Sequence, residues 1–198
     1  MTQILKWVAI SLFVAFVAWA VAEKFFISRE PGDLAYHAAN NLFEDGHYAR
    51  AAAEYRKALA EDSDHLYALR GLARSLHLAG QHDEALSLYD ETIAAVPEVP
   101  EDEGERAALA ASYANRGILL DTMGRHEAAL EDYETALALD PEIAEGPNWL
   151  TRFLRNQAEA PPTIADRARY LRAEFQKPES ERVLSNPDVD ASQRPYKQ

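Results

Sequence analysis

One helix-and-turn phrase occurs three times in this 198-residue chain, and its repetition constrains the fold more than any other feature. The copies begin at Gly46, Gly80 and Gly124 and read GHYARAAAEYRKAL, GQHDEALSLYDETI and GRHEAALEDYETAL. Each copy has an alanine followed four residues later by a tyrosine, as at Ala51 and Tyr55. Residues four apart share one face of a helix, and a glycine permits the positive φ of a tight helix exit. The sequence therefore predicts three copies of a turn followed by a helix that buries its alanine and tyrosine.

A second helical pattern precedes each copy, with small and large residues spaced i, i+3, i+4, i+7. The three sets are Ala35, Ala38, Ala39 and Leu42, then Leu69, Leu72, Ala73 and Leu76, then Tyr113, Arg116, Gly117 and Leu120. Each unit is thus predicted to be a pair of helices. Because one pair cannot bury its own apolar face, we expect the units to stack around a shared core.

The units resemble the tetratricopeptide repeat, a 34-residue helix pair with a W-x2-L-G-x2-Y, A-x3-F and proline skeleton. Aligned with that skeleton, the repeats span about residues 32–65, 66–99 and 110–143, and the second repeat matches best through LRGLARSL and Pro97. The resemblance implies an all-α solenoid of three helix-turn-helix repeats over residues 28–145. It also implies a surface that binds other proteins.

The second and third phrases lie ten residues farther apart than the first and second. The extra residues fall near PEVPEDEGER, residues 97–106. Prolines end the preceding helix, and the acidic run suits a helix N-terminus. We interpret the insertion as a longer loop followed by an early start of the third repeat.

After the repeats, residues 146–178 are predicted to form capping and C-terminal helices. The segment 146–157 is expected to cover the last repeat, as the end of a solenoid requires. A second helix follows the capping box of Thr163 and Asp166, and residues 179–198 are predicted to be an extended tail. Three arginines are expected on and around the polar side of the second helix: Arg167, Arg169 and Arg172.

The N-terminal segment is predicted to be a membrane anchor. After a flank at residues 1–6, sixteen residues from Trp7 to Ala22 contain Ser11 as their only polar side chain. Such a helix rises roughly 24 Å, and its flanks bring residues 7–27 close to the bilayer core of about 30 Å. A cleaved signal is the alternative, because AWAVA offers an A-x-A site. Either reading predicts export, and the anchor predicts a single-pass inner-membrane protein with its repeats in the periplasm. A reversed anchor would leave the repeats in the cytoplasm.

Charge limits the class of partner. The chain has a net charge of −13, and residues 23–147 carry 26 acidic against 10 basic side chains. Residues 148–198 carry 9 basic against 7 acidic side chains. An acidic body repels nucleic acid, so nucleic acid is not expected as a partner. The basic tail is expected either to lie against the acidic body or to reach another protein.

No motif for chemistry is present in the sequence. The chain has no cysteine, and its six histidines show no ligand spacing for a metal. His82 and His126 occupy the same position in two repeats, which a structural role explains. No nucleophile elbow or phosphate-binding glycine loop occurs. We therefore predict no enzyme activity, no cofactor and no metal.

The resemblance implies a peptide-binding groove on the concave face. Arg70 and Arg74 would form a cationic spot there, and the planar guanidinium fork suits carboxylates. Some family members hold a C-terminal carboxylate with lysines, which are replaced here by Tyr36 and Ala111. The alternative is that the two arginines only pair with nearby acids such as Glu44. The implied groove residues are Tyr36, Asn40, Phe43, Tyr67, Arg70, Arg74, His77, Asn115 and Ile118.

These observations predict a membrane-tethered interaction scaffold or adaptor that assists assembly of a bacterial envelope complex. Its expected partners are a peptide or helix of another protein, in the groove, and the lipid bilayer, through residues 7–27. The alternative is a permanent structural subunit of a membrane complex, held by its anchor helix and basic C-terminal tail.

Overall fold

The computed structural model describes residues 2–26, 30–96, 103–145 and 163–185. All regular structure in these ranges is helical, which confirms the predicted all-α class. Short 3-10 turns occupy Pro141–Ala144 and Glu179–Glu181. The helices are α1 (Thr2–Phe26), α2 (Asp33–Glu44), α3 (Tyr48–Glu61), α4 (Leu66–Leu78), α5 (His82–Ala94), α6 (Glu103–Thr122), α7 (His126–Leu139) and α8 (Ile164–Phe175).

The helices from α2 to α7 stack in chain order. Each packs against the next, and α8 packs against α7. The two helices of each pair are joined by a turn in which Gly46, Gly80 or Gly124 has a φ of 77°, 79° or 76°. Those positive angles confirm the predicted role of the repeated glycine, because L side chains rarely adopt them. Nearest-neighbour packing of this kind is the arrangement of a helical solenoid.

The repeated tyrosines lie in the core. Tyr55 and Tyr89 belong to a cluster formed mainly by α2 to α5, and Tyr133 belongs to a second cluster formed by α6, α7 and α8. Each of the three side chains is at most 2% exposed. A buried tyrosine removes about 150–250 Å² from water, so these rings supply much of the apolar burial between neighbouring helices.

Arg116 stands where the repeat pattern expects an apolar side chain, and the structure shows how it is accommodated. Its Nε and Nη2 donate to the Asp132 carboxylate at 2.8 and 2.7 Å, and its Nη1 donates to Asp90 at 2.6 Å. The hydrogen bonds to Asp132 raise the pKa of Arg116. The side chain therefore connects α5, α6 and α7 while remaining fully charged.

The third repeat begins early, as the insertion predicts. Helix α6 has 20 residues, whereas α4 has 13. It starts at Glu103, with Glu103 and Glu105 in its first turn, where carboxylates interact favourably with the helix dipole. The part of the predicted longer loop that precedes α6, residues 97–102, lies outside the described residues.

The C-terminal helix begins as predicted. Thr163 Oγ1 accepts from the Asp166 backbone N–H at 3.3 Å, and the Thr163 N–H donates to Asp166 Oδ2 at 3.0 Å. The tail differs in part from the prediction, because its start packs back on α8. Tyr170 donates its hydroxyl to the Val183 carbonyl at 2.6 Å. The predicted capping helix at 146–157 lies outside the described residues.

One arginine of α8 is not where the amphipathic pattern puts it. Arg169 and Arg172 have exposed side chains, at 73% and 56%. The predicted polar-side position of Arg167 is wrong, because its side chain is 1% exposed. It donates to both carboxylate oxygens of Asp121 at 2.6 and 2.8 Å. A tertiary ion pair thus replaces solvent around this guanidinium.

The N-terminal segment is helical, as α1 shows. In the part of the chain that the structure describes, we find no helix with the length and apolar character that crossing a membrane requires. The large apolar side chains exposed along α1 are Trp7, Val8, Ile10, Leu12, Phe13, Val14, Phe16, Val17 and Trp19.

Candidate functional site

A cleft of about 290 Å³ lies among α2, α3 and α4. Six of the nine residues implied by the repeat pattern line it: Tyr36, Asn40, Phe43, Tyr67, Arg70 and Arg74. Glu44, Tyr55 and Gly71 complete the lining. Helix geometry explains this grouping, since side chains spaced three, four or seven residues apart share one face of α2 or α4. The structure therefore brings most of the predicted residues together in one place.

Each of the two cleft arginines lies over an aromatic ring. Arg74 Cζ is 4.5 Å from the ring centroid of Phe43, and Arg70 Cζ is 5.9 Å from that of Tyr67. The Nε atoms of both arginines are buried and make no hydrogen bond in the structure as described. Burial lowers the pKa of Arg70 and of Arg74. Within the described residues, both guanidinium groups are therefore partly desolvated, contact an aromatic ring and leave Nε without a hydrogen bond.

Glu44 is the acidic residue of the cleft lining. It lines the same cleft, and its charge raises the pKa of Arg74, although burial has the larger, opposite effect. The predicted alternative was a simple ion pair with this acid. Among the described residues, neither Arg70 nor Arg74 forms an ion pair within 4.0 Å. A buried donor left unsatisfied costs about 1–3 kcal/mol, so an anionic ligand would relieve this cost.

Asn40 is held in one orientation by Tyr55. The Tyr55 hydroxyl donates to Asn40 Oδ1 at 2.5 Å. Burial raises the pKa of Tyr55 to about 12, so the hydroxyl stays protonated and remains a donor. With its oxygen engaged, Asn40 presents its two amide N–H groups as donors at the cleft. The cleft therefore combines amide, hydroxyl and guanidinium donors on an aromatic wall.

The other three implied residues are not part of the cleft lining. His77 is 8% exposed, Asn115 is 0% exposed and Ile118 is 3% exposed. Ile118 packs in the core formed by α6, α7 and α8, and His77 contacts residues of α5. A ligand in the cleft does not reach these side chains, so they do not enter the site proposed below.

Three lining residues were absent from the implied set: Glu44, Tyr55 and Gly71. Glu44 was named only as a possible ion-pair partner of the arginines. Tyr55 was assigned to the core, where most of its surface lies, but it also borders the cleft. Gly71 has no side chain to suggest a contact. Its place next to Arg70 inside a helical pattern was the available signal, because a glycine within a helix often has a packing reason.

His77 is expected to make the stability of the fold fall as the pH falls below 6.5. Its Nδ1 lies 3.5 Å from the Tyr89 hydroxyl, and its ring lies 6.1 Å from that of His82. Burial, followed by the charge of His82, lowers the pKa of His77 from 6.5 to about 4. Between these values the unfolded chain binds a proton that the folded chain does not, so stability present above pH 6.5 is lost as the pH falls towards 4.

We expect the native chain to lose about 1–2 kcal/mol more of its free energy of unfolding between pH 7 and pH 4.5 than His77→Gln loses. Urea unfolding of both proteins at several pH values measures the difference. An identical pH dependence in the two proteins would contradict the assignment.

His126 also lies in structural surroundings. His126 Nδ1 lies 2.7 Å from Asp121 Oδ1, in a group that also holds Arg167. Within the described ranges, no group of three or more His, Asp or Glu side chains could hold a metal ion. The shared repeat position of His82 and His126 thus places them at helix starts.

Comparisons with known proteins agree with the repeat pattern. Residues 64–142 match the family model described as tetratricopeptide repeat. Among solved structures, one similar chain is YrrB, described as a TPR protein with an unusual peptide-binding site. The two sequences are 18% identical, the match covers 80% of this chain and 94% of that chain, and the TM-score is 0.34. A likeness of that size carries no argument about function. No curated protein matches this chain.

Proposed function

Residues 64–142 are tetratricopeptide repeats, and we propose that the cleft among α2, α3 and α4 holds an acidic element of a partner protein. Such repeats indicate a protein–protein interaction scaffold, and proteins built from them are generally non-enzymatic. The observation that carries the proposal is the pair Arg70 and Arg74, which border the cleft without an ion pair to any described residue.

Charge and shape support this assignment together. The chain as a whole is strongly acidic, so an acidic partner would be repelled by most of its surface and attracted at this cleft. Tyr36, Phe43 and Tyr67 provide rigid aromatic contact area around the two arginines. Aromatic and arginine side chains dominate the binding energy of many protein interfaces. Tyr67 is 62% exposed and is thus directly available to a ligand.

The test is a double charge reversal, Arg70→Glu with Arg74→Glu, in the tagged full chain. We expect recovery of specific partners in mild detergent to fall at least tenfold, because the reversal replaces attraction by like-charge repulsion. The matched control is Arg50→Glu with Arg106→Glu, which reverses two exposed arginines outside the cleft. Unchanged recovery with a folded double variant would contradict the proposal.

A finer part of the proposal concerns membrane attachment. We propose that residues 7–27 anchor the chain in an inner membrane and that the repeats lie in the periplasm. The support is the apolar segment of the sequence together with exposed rings on α1, such as Phe13 at 67% and Trp19 at 59%. Extended apolar surface of this kind is rarely left in contact with water.

Alkaline carbonate extraction and protease accessibility test this attachment. The chain is expected to stay in the carbonate-resistant pellet, and the repeats to be digested in intact spheroplasts. Release into the supernatant would contradict the anchor. Protection of the repeats until the spheroplasts are opened would contradict the periplasmic location.

The same purification separates an adaptor from a permanent subunit. A changing set of partners, lost at high salt and after the double reversal, supports an adaptor that works through the cleft. A complex of constant stoichiometry that resists salt supports the alternative, in which α1 and the basic C-terminal tail hold the chain in a membrane complex.

A further inference from the structure

We propose that the ligand of the cleft is an extended peptide segment with two unmodified carboxylate side chains, one for each arginine, and that Glu44 limits its affinity. This inference rests on the proposed function and specifies the chemistry of the partner. It follows from the positions of three charged side chains in the cleft: Arg70, Arg74 and Glu44.

The two guanidinium groups are separate positive centres. Arg70 lies over Tyr67, whose ring is 6.4 Å from that of Tyr36 near the starts of α2 and α4. Arg74 lies over Phe43, near the end of α2. Tyr36 and Phe43 are seven residues apart on α2, which corresponds to about 10 Å of helix rise. The two guanidinium groups thus lie over different rings, one near the start and one near the end of α2, and a ligand with two separate anionic groups can pair with both.

This separation suits alternate residues of an extended chain. An extended segment rises about 3.3 Å per residue, and its side chains at i and i+2 point to the same face. Two acidic side chains in that arrangement lie about 7 Å apart, and their flexible ends extend the range. Adjacent acids point to opposite faces instead, so they cannot reach both arginines from one extended backbone.

A neutral hydrogen-bond donor, Asn40, lies on α2 where the backbone of such a segment would pass. Asn40 lies on α2 between Tyr36 and Phe43, and its amide N–H groups remain available because Tyr55 holds its oxygen. A peptide carbonyl between the two acidic residues is the matching acceptor. The cleft thereby offers a charged contact at each end and a neutral one between them.

Glu44 makes the two arginines unequal. Glu44 follows Phe43, the ring over which Arg74 lies, and lines the cleft, so its carboxylate opposes an incoming anion at that arginine. Removing this charge is therefore expected to tighten binding of an acidic ligand. A phosphate concentrates almost two negative charges at one point. It would satisfy one arginine, leave the second unpaired and, at the Arg74 end, be repelled by Glu44 more strongly than a carboxylate.

The test uses four series of synthetic nine-residue peptides, acetylated and amidated so that no terminal charge remains. One series has glutamates at alternate positions, one has adjacent glutamates, one has glutamines instead, and one has a single phosphoserine. The other positions are randomised among neutral residues. Fluorescence polarisation with the full chain in detergent measures affinity for native protein, Arg70→Gln, Arg74→Gln, Glu44→Gln and the control Arg50→Gln.

We expect the alternate series to bind at least tenfold more tightly than the glutamine series and at least threefold more tightly than the other two. Arg70→Gln is expected to lose most of this preference, Arg74→Gln somewhat less, and Arg50→Gln none. Glu44→Gln is expected to tighten binding of the alternate series about two- to fivefold, the range of an exposed charge interaction.

Equal or tighter binding of the phosphoserine or adjacent series would overturn the inference, as would an unchanged affinity in Glu44→Gln. If the adjacent or phosphoserine series binds best and Arg70→Gln weakens its binding, the inference fails and the proposed function stands. If the glutamine series binds as tightly as the acidic ones, the proposed acidic ligand fails as well. Failure of every series to bind would overturn the proposed function itself.

Discussion

Replacing Asp121 by alanine is expected to lower the free energy of unfolding by about 3–5 kcal/mol, the usual cost of removing one partner of a buried ion pair. Asp121 is 6% exposed and accepts two hydrogen bonds from Arg167, whose side chain is 1% exposed. It also accepts from the Tyr133 hydroxyl at 3.2 Å. Without this carboxylate, a guanidinium would remain in the core between α6 and α8 without its main counter-charge.

An exposed ion pair in the same interface provides the control. Arg172 of α8 pairs with Glu134 of α7 at 2.7 Å, and both side chains are about half exposed. Because water screens such a pair, Glu134→Ala is expected to cost at most about 1 kcal/mol. Urea unfolding of the full chain in detergent measures both variants. A cost for Asp121→Ala no greater than that for Glu134→Ala would contradict the role of the buried pair.

Removing both buried charges tests the cause of the loss. Asp121→Leu with Arg167→Met removes both ions of this pair, and such replacements are often neutral or stabilising. His126 and the Tyr133 hydroxyl lose an acceptor in this variant, as they do in Asp121→Ala, but no unpaired guanidinium remains. The double variant is therefore expected to be more stable than Asp121→Ala. Hydrogen exchange in α8 should rise in Asp121→Ala before exchange in α4 does, because the pair joins α8 to the last repeat.

This ion pair also shows where sequence analysis reaches its limit. Periodicity assigns apolar positions to the inside of a helix, and on that basis it predicts the starts of α3, α5 and α7 and the capping box of α8. It assigns Arg167 to the polar side, because an arginine is buried only with a partner. The partner, Asp121, is 46 residues away in sequence, and the local pattern around Arg167 does not predict that contact.

In the candidate cleft, too, some residues could be predicted from periodicity and others depend on tertiary packing. Tyr36, Arg70 and Arg74 could be grouped from helix spacing and from the repeat register. His77 shares the spacing of Arg70 and Arg74 on α4, yet α5 covers it through Tyr89. Asn115 belongs to α6, which begins earlier than the other first helices and is buried over most of its second half. Which side chains stay accessible depends on this packing between repeats.

A close contact beneath the cleft leads to the second large effect. Replacing Gly71 by alanine is expected to lower the free energy of unfolding by about 2–3 kcal/mol. A methyl group at this position would lie 2.3 Å from Cζ, 2.4 Å from Cε1 and 2.8 Å from the hydroxyl oxygen of Tyr55. Contacts of that length cannot persist, so the buried Tyr55 ring must move.

Opposing contributions decide whether Gly71→Ala raises or lowers the free energy of unfolding. Alanine is preferred to glycine inside a helix by about 1 kcal/mol, which favours the variant. Overpacking a core costs about 1–3 kcal/mol, and displacing the Tyr55 ring also removes its hydrogen bond to Asn40, worth about 0.5–1.5 kcal/mol. The losses exceed the gain because the clash involves a ring that is 2% exposed and has little room to turn.

A double-mutant cycle separates the clash from the other terms. Tyr55→Leu removes the atoms that meet the new methyl group, so Gly71→Ala with Tyr55→Leu should cost less than the two single changes added together. Strict additivity, measured by urea unfolding, would contradict the clash. Tyr55→Phe keeps the ring and removes only the hydrogen bond to Asn40, so it isolates that contribution. Asn40 and Gly71 both line the cleft, and the lost hydrogen bond would free the Asn40 side chain to turn. Tyr55→Phe is therefore also expected to weaken peptide binding, while stability changes by only about 1 kcal/mol. Packing between the first two repeats is in this way connected to the geometry of the proposed site.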